Sequence, residues 1–146
     1  MRRVFIDTNI LIFATSSTSP FNVDARNMLK QFLLNGDELV INTQVLREYM
    51  CNMTEYQFDT RDAIERNVER FQQMTVVSDG MNIFQRWLQL VQQFRVSGKA
   101  VYDCNIVATM IENGVTEILT YNVKDFARYH SLVTVLPFSS SISTSL

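Results

Sequence analysis

Charge is scarce in this chain of 146 residues: Asp, Glu, Lys and Arg make up 19%, and the formal net charge is -2. A broad basic field for gripping nucleic acid needs the opposite balance, which argues against strong nonspecific binding of that kind. A nuclease is not excluded, because a metal ion can bridge an acidic site to phosphate. Histidine is scarcer still, with His130 alone, and no dense Cys/His pattern points to zinc. His130 stands close to the last apolar run and reads as a surface or packing residue. Cys51 and Cys104 fall in apolar, helix-like segments and read as two buried free thiols. The chain has neither a phosphate-cradling Walker loop nor a dinucleotide-binding glycine loop. No apolar run approaches a membrane span. The opening Met1-Arg2-Arg3-Val4-Phe5-Ile6-Asp7 reaches an acid too early for a secretory signal, so a cytoplasmic protein is expected.

What remains is an apolar fraction of 47%, enough for one sizeable core. One domain is expected over 1–138, followed by a serine-rich surface tail over 139–146. Short apolar runs at Arg3–Ile6, Leu39–Ile41, Thr75–Val77, Glu117–Thr120 and Leu132–Leu136 predict five strands. Helical patterns separate them. Ile10–Ala14 suits a short helix, and Ala25, Met28, Leu29, Phe32 and Leu33 form the next apolar face, ended by Asn35-Gly36. Thr43 is the expected cap of a helix carrying Val45, Leu46, Tyr49, Met50 and Met53. Asp59-Thr60 opens another, with Ile64, Val68 and Phe71 expected inward. Asn82–Arg95 and Tyr102–Glu112 follow, and Asp125–Tyr129 suits a helical turn. Strands alternating with helices predict an α/β fold with a parallel sheet covered on both faces. Ligands of such sheets bind at the carboxyl ends of the strands, near the switch in strand order.

That rule locates the acids worth weighing. Asp7 directly follows the first strand, where it suits either a helix cap or a carboxylate facing the cleft. Thr8 and Asn9 suit capping too, or orienting Asp7. Asp103 falls in the middle of an apolar stripe made by Tyr102, Ile106, Val107, Met110 and Ile111. A carboxylate there is costly unless paired, hydrogen-bonded or metal-bound. It also lies in a first helical turn, so a capping role stays open. Asn105 is a supporting residue or a surface amide. Glu48 lies beside its helix's apolar stripe, as a surface glutamate or as an acid reaching back toward the first strand's end. Asn122 and Asp125 follow the fourth strand, Asp125 equally suited to a cap. Lys124 is a solvated lysine or a phosphate contact. Asp24, Asp37, Asp59, Asp62 and Asp79 occur at turns or helix starts and are assigned no chemistry. A carboxylate-only site favours the hard ions Mg or Mn.

In order and spacing, Phe5-Ile6-Asp7-Thr8-Asn9-Ile10-Leu11-Ile12, Val45-Leu46-Arg47-Glu48-Tyr49, Tyr102-Asp103-Cys104-Asn105-Ile106-Val107-Ala108 and Ile118-Leu119-Thr120-Tyr121-Asn122-Val123-Lys124-Asp125-Phe126 resemble the acidic blocks of PIN-domain ribonucleases. Val133–Pro137 resembles the family's closing strand. The likeness extends to the small single-domain toxins of type II toxin–antitoxin pairs. It implies a three-layer α/β/α fold with a central, mostly parallel five-stranded sheet. It also implies Asp7, Glu48 and Asp103 as the metal-binding trio. The fourth family position, often aspartate, is Asn122 here, with Asp125 three residues on as a further ligand. Thr120, Tyr121, Lys124 and the Ser16–Pro20 loop become candidates for the cleft's supporting shell or rim. The activity implied is Mg- or Mn-dependent hydrolysis of single-stranded RNA, leaving a 5'-phosphate and a 3'-hydroxyl. A cognate antitoxin and a homodimer are the implied partners. Trp87 and its apolar neighbours suit core packing, or a dimer or partner groove.

Two rival functions are weighed against this one. A noncatalytic PIN-like RNA- or protein-binding module would not need Asp7, Glu48 and Asp103 together. A small-substrate phosphatase using a covalent aspartate often shows Asp-x-Asp after the first strand, where this chain has Asp7-Thr8-Asn9.

Overall fold

The computed structural model describes residues 1–138; the expected serine-rich tail, 139–146, lies outside the described residues. Strands β1 (Arg3–Ile6), β2 (Glu38–Asn42), β3 (Thr75–Val77), β4 (Glu117–Thr120) and β5 (Thr134–Pro137) form one sheet in the order β3-β2-β1-β4-β5. Every pairing is parallel, with Phe5 opposite Val40 on one side and Ile118 on the other. The helices are α1 (Thr8–Thr15), α2 (Asn22–Leu34), α3 (Thr43–Tyr56), α4 (Thr60–Gln73), α5 (Met81–Phe94), α6 (Ala100–Glu112) and the short α7 (Val123–Phe126). Helix α1 packs on α2 and α3, and α3 on α4, whereas α6 packs on α5 and α7. Right-handed crossovers put these two groups on opposite faces, giving the three layers. A parallel sheet covered twice buries its strands on both sides. Val4, Phe5, Ile6, Val40, Ile41, Ile118 and Leu119 accordingly expose 0% of their surface.

The chain steps outward from β1 to β2 and β3, then returns to lay β4 on the other side of β1. The crevice at this reversal opens beyond the carboxyl ends of β1 and β4. Helix α3 leaves β2 and α6 feeds β4, so both helices have their first turns at this same edge.

Four local expectations are corrected. Asn42, not Thr43, caps α3: its Oδ1 accepts from the Val45 N–H at 2.9 Å, and its Nδ2 donates to Thr109 Oγ1 at 3.2 Å. A fully buried amide needs both partners. Helix α4 turns inward the face of Ala63, leaving Ile64 50% and Phe71 44% exposed and Val68 only half-buried. Asn67 on that inner face donates to the Leu46 carbonyl, and Arg70 donates to Thr15 Oγ1. A small side chain and two hydrogen-bonding ones hold α4 there in place of the expected apolar stripe. Strand β5 starts at Thr134 rather than Leu132, because the Leu132 and Val133 N–H groups are spent on the Tyr129 carbonyl. Tyr102 points outward, 61% exposed, while Cys104, Ile106 and Val107 of the same helix are buried, so the inward face of α6 excludes it. Among the described residues, no helix is long and apolar enough to cross a membrane.

Candidate active site

Asp7 ends β1 and caps α1, and these two duties put its carboxylate at the crevice. Its Oδ1 accepts from the Thr8 N–H at 2.8 Å. Its Oδ2 accepts from Thr120 Oγ1 at 2.7 Å and from Asn9 Nδ2 at 3.3 Å. Thr120 ends β4 and is fully buried, so the adjacent strand clamps the acid from behind. Thr120 also accepts from the Asn122 N–H at 3.0 Å, which sets the turn after β4.

Thr8 serves two acids at once. Its amide binds Asp7, and its hydroxyl donates to Glu48 Oε2 at 2.8 Å. The other Glu48 oxygen accepts from Gln44 Nε2 at 2.9 Å, one turn back on α3. Asp103, in the first turn of α6, is half-buried and accepts no hydrogen bond among the described residues. Asp7, Thr8, Asn9, Glu48, Asp103 and Asn122, with Ile12, Cys51, Asn52 and Glu55, line one open cleft of about 410 Å³.

Among the described residues, no Lys or Arg lines this cleft. The consequence is electrostatic. Burial pushes the Asp7 carboxyl above its ordinary 3.8; the hydrogen bonds from Thr120, Thr8 and Asn9 pull the other way, and the charge of Glu48 adds to the rise. The Asp103 carboxyl is pushed up to about 7, first by burial and then by the charges of Asp7, Asp125 and Glu48. Arg128 opposes that rise. The chain's geometric ion pairs of β1 lie elsewhere: Arg2 with Glu117 and Arg3 with Glu38, at the strands' opposite ends.

Crowded hard oxygen donors without a lining cation suit Mg or Mn. As the side chains lie, no three His, Cys, Asp or Glu groups among the described residues close into a chelating cluster. Glu48 and Asp7 are turned to their hydrogen-bond donors. Mg usually keeps several waters and takes only one or two carboxylates plus a substrate phosphate, so this donor set fits a partly hydrated ion.

The sequence matches the PIN domain family over residues 4–132. The chain belongs to that family. Among solved structures, VapBC2 from Rickettsia felis, bound to a DNA fragment from its promoter, superposes with a TM-score of 0.74 at 16% identity, covering 94% of this chain and 99% of that one. A toxin–antitoxin complex from Klebsiella pneumoniae gives 0.70 at 22% identity, with 94% and 98% covered. VapC20 from Mycobacterium tuberculosis, a Sarcin-Ricin loop cleaving toxin, gives 0.64 at 15% identity, with 90% and 96% covered. At these identities the likeness is one of fold. No match was found among curated protein sequences.

Within this PIN domain, the other residues singled out from sequence are scattered around the cleft. Asp125 does not line it, although its charge reaches Asp103. Asn105 turns away, donating to Gln44 Oε1 at 2.8 Å and Asp79 Oδ2 at 3.2 Å, and touches the site only through Gln44. Tyr121 stands just beyond the cleft wall, its N–H donating to Asn9 Oδ1 at 3.2 Å. Lys124 is exposed on α7, and neither it nor the Ser16–Pro20 loop is part of the lining. His130 is exposed and also outside it. Trp87 is half-buried and donates its indole N–H to the Val101 carbonyl. Cys104 is buried as expected, but Cys51 is exposed and belongs to the cleft. Cys51, Asn52 and Glu55 were missed, as was Gln44. The signal was present, because positions 48, 51, 52 and 55 share one face of α3 by helical spacing.

Proposed function

We propose that this PIN domain is a metal-dependent ribonuclease that hydrolyses phosphodiester bonds of single-stranded RNA, acting as the toxin of a toxin–antitoxin pair. One observation carries the reading. Asp7, Glu48 and Asp103, from three distant segments, meet in a single cleft at the sheet's switch point with no cation lining it.

In this reading Asp7, Glu48 and Asp103 would hold Mg or Mn, with Asp125 adding negative charge nearby. Such an ion lowers the pKa of a bound water and stabilises charge on phosphate oxygens. Thr120 and Thr8 hold Asp7 in one orientation, so little reorganisation is left for the bound state. Thr8 and Gln44 hold Glu48. The Asp103 carboxylate, which accepts no hydrogen bond among the described residues, is available to a ligand. Asn122 presents a neutral amide to the cleft where a further acid would increase repulsion.

The toxin role gains support from a groove between α2 and α4, lined by Arg26, Lys30 and Arg70 beside Val23, Leu29 and Leu33, with no carboxylate in its lining. An acidic, partly apolar antitoxin segment complements it. Met81, Phe84 and Leu88 expose an apolar stripe on α5, which supports the homodimer. One observation favours the noncatalytic alternative, namely that no chelating cluster is closed among the described residues.

The deciding experiment is cleavage of end-labelled single-stranded RNA by antitoxin-free protein in Mn or Mg. EDTA, Asp7→Asn and Asp103→Asn serve as controls, each variant checked for folding. Metal-dependent cleavage, lost in both folded variants, is expected. No cleavage across a diverse RNA panel, together with no Mn binding, would establish the noncatalytic module instead.

A further inference from the structure

Four aromatic rings gather beside the acidic cleft: Phe13 near the end of α1, Phe21 before α2, Tyr121 after β4 and Phe138 after β5. The Tyr121 ring meets Phe13 edge-on, centroids 5.4 Å apart at 88°. It lies tilted against Phe21 at 5.2 Å and edge-on to Phe138 at 6.1 Å. These contacts fix the ring, yet 47% of Tyr121 stays exposed. Its backbone is fixed too. The Tyr121 N–H donates to Asn9 Oδ1 at 3.2 Å, and the same Asn9 amide donates to Asp7 Oδ2 at 3.3 Å. The next residue, Asn122, lines the cleft itself. The backbone that carries this partly exposed residue is thus tied to Asp7 through one side chain.

The charge balance says what such a ring is for. The cleft has no lining cation, and the chain's net charge is -2, so attraction to the RNA backbone is weak. Beyond a metal-bridged phosphate, affinity for a strand then needs contacts that do not depend on charge. Stacking of a base on an aromatic face is such a contact, and an unpaired base has a face to give. We propose that Tyr121 is a stacking platform for a base of the single-stranded RNA whose phosphate lies at Asp7, Glu48 and Asp103. This rests on the ribonuclease reading, and Tyr121 contributes binding and base selection rather than chemistry.

The test uses the full chain with its acids intact, in Ca in place of Mn to slow cleavage, with short fluorescein-labelled single-stranded RNAs and an abasic strand of equal length. Tyr121→Ala is expected to weaken binding of base-bearing strands roughly tenfold, within the range for loss of one stacked base. Tyr121→Leu, which preserves bulk against Phe13 and Phe21, is expected to behave as the alanine variant does. Tyr121→Phe and Tyr121→Trp should bind as the parent does, and the abasic strand should not distinguish any of them. Equal affinity of the alanine and tyrosine proteins overturns the proposal, as does an equal loss on the abasic strand. If the wild-type chain neither binds nor cleaves RNA in Mn, the ribonuclease reading falls and takes this inference with it. If RNA is cleaved while Tyr121 leaves affinity unmoved, the inference alone falls.

Discussion

Replacing Asp103 with asparagine should make the metal-free protein more stable while abolishing the proposed RNA cleavage. The carboxyl is held up to about 7 against an ordinary 3.8, so the folded state binds a proton there that the unfolded chain has already lost. Stability from this group is full below pH 3.8 and declines as pH rises to about 7. Taken at face value, that interval costs the charged form about 4 kcal/mol at pH 8, at roughly 1.4 kcal/mol per pH unit. Asp103 is only half-buried, and solvent screening reduces the figure to about 2 kcal/mol. For a domain of this size, that corresponds to a rise in Tm of about 4–8 °C for Asp103→Asn at pH 8. The assay is thermal unfolding in EDTA at pH 5.5 and pH 8. Glu38 and Glu117, held below their ordinary 4.5 by Thr75 and Arg3 and by Arg2, titrate beneath this window, whereas Asp7, also raised, contributes in wild type and variant alike, so the difference between the two proteins reads Asp103. Wild type is expected to lose stability from pH 5.5 to pH 8, and the variant to lose less. Added Mn should raise the wild-type Tm at pH 8 and leave the variant nearly unmoved. An Asp103→Asn protein less stable than wild type at pH 8 in EDTA would refute the reasoning, for it would mean the carboxylate is stabilising as it stands.

Three further outcomes follow from single contacts. Thr120→Val removes the buried donor to Asp7 Oδ2 and should destabilise the fold by about 2 kcal/mol, read by urea unfolding, with Thr120→Ser restoring most of it. Thr8→Val frees Glu48 Oε2 while retaining the Thr8 amide's bond to Asp7, and isothermal titration should show Mn affinity reduced about 10-fold or more. Phe84→Glu with Leu88→Glu places charge on the exposed stripe of α5; if that stripe is the proposed dimer face, sedimentation should show a dimer for wild type and a monomer for the variant, with far-UV circular dichroism unchanged.

Much of the candidate site was legible because it sits where local pattern is informative. Asp7 follows an apolar run and precedes a helical one, and a residue so placed must lie at a strand's carboxyl end. Asp103 interrupts an apolar stripe, which marks it whatever the partner. Glu48 carried the weakest local mark, since an acid beside a stripe looks like any surface acid, and only the family's spacing singled it out. The face of α4 was misread for a related reason. Ile64, Val68 and Phe71 form a good helical stripe, but Ala63, Asn67 and Arg70 form another at the same period, and periodicity does not rank them. Contact with α3 does.

The sequence by itself determined the order of strands and helices, the parallel sheet and the edge at which the acids gather, because these follow from side-chain periods of two and 3.6 and from the handedness of crossovers. Only the tertiary structure decided who serves whom. Thr120 donates to a carboxylate 113 residues away, Thr8 joins two acids, Cys51 faces the cleft, and Tyr121 stands on three other rings. Such pairings depend on which strands become neighbours and how far each helix turns about its axis. Those are properties of the packed core as a whole, and no short window of the chain contains them.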